Sequence, residues 1–200
     1  MMTDFRINEI FYSLQGEGRH AGEAATFIRF SGCNLRCPFC DTAHQDGKSM
    51  TLDAIVAEAA CNPSRLVVLT GGEPSLWITP ELVDALHEAG KFVAVETNGT
   101  HPLPENLDWV TLSPKTGMAE GGDKIVIPRA DEIKVVNVGQ PLDAYFSMPQ
   151  RNEATLMYLQ PCFVEDAATY RANVADTVGK ILADPRWRLS AQLHRYLAIP

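Results

Sequence analysis

The segment Cys33-Asn-Leu-Arg-Cys37-Pro-Phe-Cys40 packs three cysteines into one short loop. Thiolates at spacings of four and three can wrap a compact, thiophilic inorganic centre, and they leave a tetrahedral or cubane site one protein ligand short. An open coordination position is where a cofactor or substrate binds. The residue types allow two centres. His44 follows Cys40 by four and completes a Cys3His set suited to zinc; the alternative is an iron–sulfur cluster. A zinc knuckle usually belongs to a small metal-dependent module or sits among basic residues. This chain is acidic and long enough for its own core, so the cluster is the favoured reading. Cys61 and Cys162 stand alone and read as buried, inert thiols. Five cysteines, an odd number with three of them clustered, do not fit a secreted disulfide framework.

The loop follows a short apolar run, and the same arrangement recurs along the chain. Ala25–Phe30 runs into Ser-Gly-Cys33, and Leu66–Leu69 into Thr70-Gly-Gly-Glu73-Pro. Phe92–Val95 ends in Glu96-Thr-Asn98-Gly, and Trp109–Leu112 in Ser113-Pro-Lys115. Ile133–Val136 ends in Asn137, and Leu156–Leu159 in Gln160-Pro. These read as about six strands, mostly apolar on both faces, as in a parallel sheet covered on both sides. Amphipathic helices are predicted over about Thr51–Cys61, over Pro80–Ala89 with Thr79 as cap, and over about Asp166–Ala183. In the last of these, Tyr170, Val174, Val178 and Ile181 form the buried stripe. Few helices for six strands argues for an α/β partial parallel (β/α) barrel or an open parallel sheet rather than a complete eight-fold barrel. The Gly- and Pro-rich stretch Ser113–Arg129 reads as a loop. Ligands of parallel α/β folds lie across the C-terminal strand ends. Here those ends carry Cys33, Glu73, Asn98, Ser113, Lys115 and Gln160, all expected on one rim.

A chain of 200 residues with 46% hydrophobic content suits a single domain spanning residues 1–200. The net charge of −8, with no run of Lys or Arg, is the wrong sign for gripping a phosphate backbone. A small-molecule substrate is expected, not nucleic acid. No stretch approaches the roughly 20 apolar residues of a membrane span, and the polar start is no signal peptide, so a cytoplasmic protein is expected.

The segment from Phe30 through Cys33, Cys37, Phe39 and Cys40 to Thr42 resembles the C-x3-C-x2-C loop of the radical S-adenosylmethionine superfamily. The turn Thr70-Gly71-Gly72-Glu73-Pro74 resembles that superfamily's second mark. Ile10-Phe11-Tyr-Ser13-Leu14-Gln15-Gly16-Glu17-Gly18, Asp41-Thr42 after the cysteines, Ser113-Pro-Lys115, and the His194–Pro200 ending are similar to the 7-carboxy-7-deazaguanine synthase family. The likeness runs from about residue 7 to 200 and thins between about 117 and 155. Some members carry an insertion in the cysteine loop; this chain has the short spacing, which makes the loop less diagnostic of the branch.

The resemblance implies contraction of the ring of 6-carboxy-5,6,7,8-tetrahydropterin, with loss of ammonia, on the route to queuosine and other 7-deazapurines. It implies a 4Fe-4S cluster on Cys33, Cys37 and Cys40, with the methionine moiety of S-adenosylmethionine filling the open iron. The reduced cluster cleaves the sulfonium, and the adenosyl radical takes hydrogen from the pterin. Phe39, Gly71, Gly72, Glu73, Asn98, Ser113, Lys115 and Gln160 are then expected to meet S-adenosylmethionine, though Asn98-Gly99 alone reads equally as a turn. Leu14, Gln15, Gly16, Glu17, Gly18, Arg29, Gly71, His194 and the carboxylate of Pro200 are expected around the substrate, in segments about 7–18 and 186–200. Arg29 would grip its carboxylate, or else simply pair with an acidic neighbour. Thr42 would ligate a magnesium ion with Asp41 nearby, or the pair is a helix cap. A flavodoxin-type electron donor and a homodimer are also implied, and His44 has no role. The rival readings are a glycyl-radical-enzyme activase and the non-enzymatic zinc module.

Overall fold

The computed structural model describes residues 4–40 and 42–200. Each of the six apolar runs forms a strand: β2 (Ala24–Phe30), β4 (Leu66–Gly71), β5 (Phe92–Thr97), β6 (Trp109–Leu112), β7 (Glu132–Asn137) and β8 (Leu156–Pro161). They are parallel neighbours in that order. Three further strands complete one sheet. β1 (Phe5–Leu14) and β3 (Lys48–Met50) lie antiparallel at one edge, and β9 (Arg188–Leu189) lies parallel at the other. The order is β3-β1-β2-β4-β5-β6-β7-β8-β9. The expected partial parallel barrel is thus present, with an antiparallel hairpin added at its start. The first strand escaped the sequence reading because Arg6, Asn8, Glu9 and Ser13 break its apolar run. β3 and β9 are too short to leave a pattern.

The strands are not apolar on both faces throughout, as the sequence had suggested. Side chains alternate with period two. Ile28, Phe30, Val67, Leu69, Val93, Val95, Val110, Leu112, Ile133 and Val135 enter the larger core, shared with Ile55 and Ala59 of α1 (Leu52–Ala60) and Leu82, Val83 and Leu86 of α2 (Pro80–Glu88). The opposite face is apolar only near the strand starts, where Ala25, Phe27, Leu66, Val68 and Ala94 pack with Phe11, Phe92 and Trp109. Towards the strand ends it turns polar, with Arg29, Thr70, Glu96, Ser113, Lys134 and Gln160 lining a cavity.

Capping follows the sequence closely. Thr51 Oγ1 accepts from Ala54 N, Thr79 Oγ1 from Leu82 N ahead of Pro80, and Asp166 Oδ2 from Ala168 N. Such caps contribute about 1 kcal/mol each. Between β5 and β7 no helix intervenes among the described residues. Leu107 and Ile127 from the connecting loops cover the sheet instead.

In α3 (Ala167–Ala183) the buried stripe differs from the expected one. Val178 is 36% exposed, and the fully buried position is Thr177, whose hydroxyl accepts from Asn137 at the end of β7. A polar anchor between strand end and helix therefore sets its rotation. Gly179 lies inside this helix, and an added Cβ there meets nothing within 4 Å. Gly179→Ala is expected to raise stability by about 0.5–1 kcal/mol, read as an increased urea midpoint at constant slope.

Candidate active site at the strand ends

The cysteine loop leaves β2 under tight control. Ser31 Oγ donates to Asp46 O at 2.8 Å, Gly32 N donates to His44 O at 2.8 Å, and Trp77 Nε1 donates to Ser31 O at 2.8 Å. The loop is thus pinched at its base. Its first turn is tied sideways: Asn34 Nδ2 donates to Thr100 Oγ1 at 2.8 Å, and Asn98 Nδ2 to Asn34 Oδ1 at 3.1 Å. Leu35 is buried, whereas Cys33 and Cys37 are half-buried and Cys40 is exposed. Burial pushes the Cys33 and Cys37 thiols up, opposed at Cys37 by the charge of Lys115.

The Gly-Gly-Glu turn is stitched to this loop by backbone. Gly72 N donates to Phe30 O and Glu73 N to Gly32 O, extending the β2–β4 pairing one step past the sheet. A Cβ at Gly71 would stand 2.2 Å from Phe30 O, and one at Gly72 would stand 2.0 Å from Gly32 O. Glycine is the residue that permits such an approach. Glu73 is 1% exposed; its carboxylate accepts from Ser75 N, Thr97 Oγ1 and Asn98 N at 2.7–3.0 Å. Glu73 therefore fixes the end of β5 as well as its own turn.

The third component is the β1–β2 connection. It crosses to the far side of the sheet, where Gly18 N donates to Ser190 Oγ and Arg19 N to Glu132 Oε2. The C-terminal segment packs against it. Leu193 N, at the start of α4 (Leu193–Leu197), donates to Gly16 O, and Gln192 Nε2 donates to Glu17 Oε1 at 3.0 Å. Ser13 Oγ donates to Pro200 O at 2.8 Å.

These parts enclose one cavity of about 570 Å³. Its wall includes all three cysteines of the loop with Phe39 and Thr42, and the Gly71–Glu73 turn. Asn98, Ser113, Lys115 and Gln160 complete the strand-end rim, and Leu14–Glu17, Arg29, His194 and Pro200 form the opposite side. Gly18 does not line it. Its φ of +65° and the Glu132 carboxylate, 2.2 Å from where a Cβ would be, make it a turn residue. Arg29 Nε pairs with Glu9 at 2.8 Å, with the guanidinium 5.6 Å from the Phe11 ring centre. Asp41 lies outside the described residues.

Several wall residues were not foreseen. Lys134 Nζ donates to Glu17 and Glu96, and Gln15 Nε2 donates to Glu96 Oε1 at 3.0 Å. Burial would raise the Glu17 carboxyl, but the Lys134 charge and hydrogen bonds from Lys134 and Gln192 bring it below its usual range. Burial raises Glu132 and lowers Lys115. The available signal was a Glu132-x-Lys134 pair of charges on one face of an otherwise apolar strand. Cys162, expected to be buried, instead lines the cavity half-exposed, because it follows Gln160 by two on the same face. Cys61, also expected to be buried, is exposed where α1 ends.

The arrangement suits an iron–sulfur cluster with a ligand at its open position. Three soft thiols share a wall with a turn whose glycines bring backbone close, and with a buried carboxylate. His44 does not line this cavity; it supports the loop through its carbonyl. Among the described residues no three His, Cys, Asp or Glu side chains converge as a metal-holding group, so the thiols share the wall without meeting at a point.

Residues 27–136 match the model of the radical SAM superfamily. A 7-carboxy-7-deazaguanine synthase of Bacteroides thetaiotaomicron is 53% identical over 194 residues, covering 97% of this chain and 98% of that protein. The chain belongs to the 7-carboxy-7-deazaguanine synthase family. A synthase of the same name from Nitratidesulfovibrio vulgaris is 40% identical over 98% of this chain and 99% of its own length. The crystal structure of QueE from Escherichia coli superposes with a TM-score of 0.76 at 30% identity, covering 94% of each chain. Membership in the synthase family sets aside the activase and zinc readings, and implies a 4Fe-4S cluster and S-adenosylmethionine. No described helix is long and apolar enough to cross a membrane.

Proposed function

We propose that this chain converts 6-carboxy-5,6,7,8-tetrahydropterin to 7-carboxy-7-deazaguanine with loss of ammonia, in 7-deazapurine and queuosine biosynthesis. The observation that carries the reading is the single cavity in which the cysteine loop and Gly-Gly-Glu turn face the Leu14–Glu17 segment and the His194–Pro200 ending. When bound, the cluster and S-adenosylmethionine supply reductive cleavage of a sulfonium and hydrogen abstraction by the resulting carbon radical.

The chain's own residues bind, orient and exclude water. Cys33, Cys37 and Cys40 hold the cluster. Phe39, Gly71, Gly72, Glu73, Asn98, Ser113, Lys115 and Gln160 hold S-adenosylmethionine along the strand-end rim. Leu14, Gln15, Gly16, Glu17, Gly71 and His194 hold the pterin, and Gly18 shapes the Gln15–Glu17 turn without touching it. Arg29 meets the substrate carboxylate while Glu9 braces its Nε, and a planar guanidinium is suited to gripping two oxygens. Pro200, bonded to Ser13, closes the cavity on the substrate side. Thr42, on the cavity wall, would offer an oxygen ligand to a magnesium ion, which would supply a hard cation for the substrate's charge, since magnesium accepts an incomplete protein shell. A flavodoxin-type donor delivers the electron on the side where Cys40 is exposed, and the working unit is a cytoplasmic homodimer.

The test is anaerobic reconstitution followed by turnover. A brown protein with about four irons per chain that forms the deazaguanine and one equivalent of ammonia supports the proposal. A reconstituted protein that leaves the pterin intact overturns it. Chelation in magnesium-free buffer is expected to slow turnover strongly, with recovery on adding magnesium; equal rates in all three conditions would remove the metal from the site.

A further inference from the structure

Lys134 is 3% exposed, yet it sits on the cavity wall between two carboxylates from distant parts of the chain. Its Nζ donates to Glu17 Oε2 from the β1–β2 connection and, at 2.7 Å, to Glu96 Oε2 at the end of β5. The other oxygen of each carboxylate is also held. Glu17 Oε1 accepts from Gln192 Nε2 at 3.0 Å and Gln160 Nε2 at 3.3 Å, and Glu96 Oε1 accepts from Gln15 Nε2 at 3.0 Å. Both carboxylates line the cavity, and each keeps acceptor capacity beyond these bonds. A buried ion pair gives little net stability over an apolar replacement, whereas removing one partner is costly. A lysine gripping two carboxylates inside a ligand cavity is therefore a device for orientation.

We infer that Lys134 is a positioning residue that presents Glu17 and Glu96 as paired hydrogen-bond acceptors to the donor edge of an aminopyrimidinone ring. That edge offers an exocyclic amino group beside a ring N–H, a two-donor fork that carboxylate acceptors match. The inference rests on the pterin reading above. It adds a residue that acts on substrate selection through its neighbours, from a strand on which the sequence pointed to no site residue. Without the ammonium, Glu17 and Glu96 repel each other and turn away from the geometry that the amides alone cannot hold.

The experiment uses the reconstituted holoenzyme with Lys134→Met, Lys134→Arg, Glu17→Gln and the Glu17→Gln/Lys134→Met pair. For Lys134→Met, KM for carboxytetrahydropterin is expected to rise about 30- to 1,000-fold with a much smaller change in kcat. Binding of the fluorescent oxidised analogue 6-carboxypterin should weaken by the same factor, while iron content and S-adenosylmethionine affinity stay at wild-type values. Lys134→Arg should recover most of the loss, and the double variant should be clearly less impaired than the product of the single effects. Unchanged KM and analogue affinity in Lys134→Met overturn the inference. So does a parallel loss of iron and S-adenosylmethionine, which marks a purely structural role. Should Lys134→Met fail to fold, Glu96→Gln decides: a raised KM with retained iron supports the positioning role, and an unchanged KM overturns it. A wild-type protein that neither binds nor converts the pterin would instead defeat the proposed function.

Discussion

Cys37→Ala is expected to lower product formation by about four orders of magnitude or more, because it removes the means of holding the group that supplies the chemistry. The fold should be indifferent to the change. The loop is held by Gly32 N to His44 O, Ser31 to Asp46, Asn34 to Thr100 and the buried Leu35, none of which uses the thiol. Losing a half-buried sulfur should cost no more than about 1 kcal/mol. Iron bound after anaerobic reconstitution should fall well below the wild-type content, while the urea midpoint and far-UV spectrum barely move. A variant that keeps its iron and turns over at the wild-type rate would show that Cys37 is not a ligand. The half-buried Cys162 on the same wall sharpens the comparison. Cys162→Ala is not expected to lose iron.

Gly72→Ala has the second largest expected effect, and its cause is steric. The added methyl would stand 2.0 Å from Gly32 O, 2.5 Å from Gly32 C and 3.0 Å from Cys33 N. All three are backbone atoms at the root of the cysteine loop, so no side chain can swing away to relieve the contact. Either the turn or the loop must shift, and both carry groups assigned to the cofactor. Overpacking of this kind costs about 1–3 kcal/mol of stability. The displacement should also weaken S-adenosylmethionine binding by at least about tenfold, a difference of about 1.4 kcal/mol. Equilibrium binding of S-adenosylmethionine, set beside a denaturation curve, reads both. Wild-type affinity with wild-type stability would mean that the loop yields freely and that the two motifs are not rigidly coupled.

Much of the fold could be read from the chain because its local signals agree with one another. The runs around Val67, Val93, Val110 and Val135 are strands because β-branched and apolar residues recur where both neighbours are sheet. Thr51, Thr79 and Asp166 start helices because each hydroxyl or carboxylate satisfies an amide left without an intrahelical partner. What escaped had weak or contradictory local signals. β1 mixes Arg, Asn and Glu into its alternation, because part of it faces the cavity rim. The rotation of α3 follows a hydrogen bond from Asn137 to Thr177, which the hydropathy of Val178 and Leu182 does not report.

The site divides in the same way. The types and spacing of Cys33, Cys37 and Cys40 narrow their chemistry to a zinc site or an iron–sulfur cluster without coordinates, and the resemblance carried by that loop together with Gly71, Gly72 and Glu73 selects the cluster. The sequence also places those groups at strand ends, since each follows directly on an apolar run. Which distant residues share the wall is a different kind of information. Glu17, Glu96 and Lys134 meet only because a hairpin loop crosses the sheet and the last turns of the chain close over it. Sequence alone marks Lys134 as one of two charges, with Glu132, on one face of an apolar strand. It becomes half of two ion pairs only when three separated segments fold into one low-dielectric cavity. There, charge must be paired, and the partner is chosen by proximity in space.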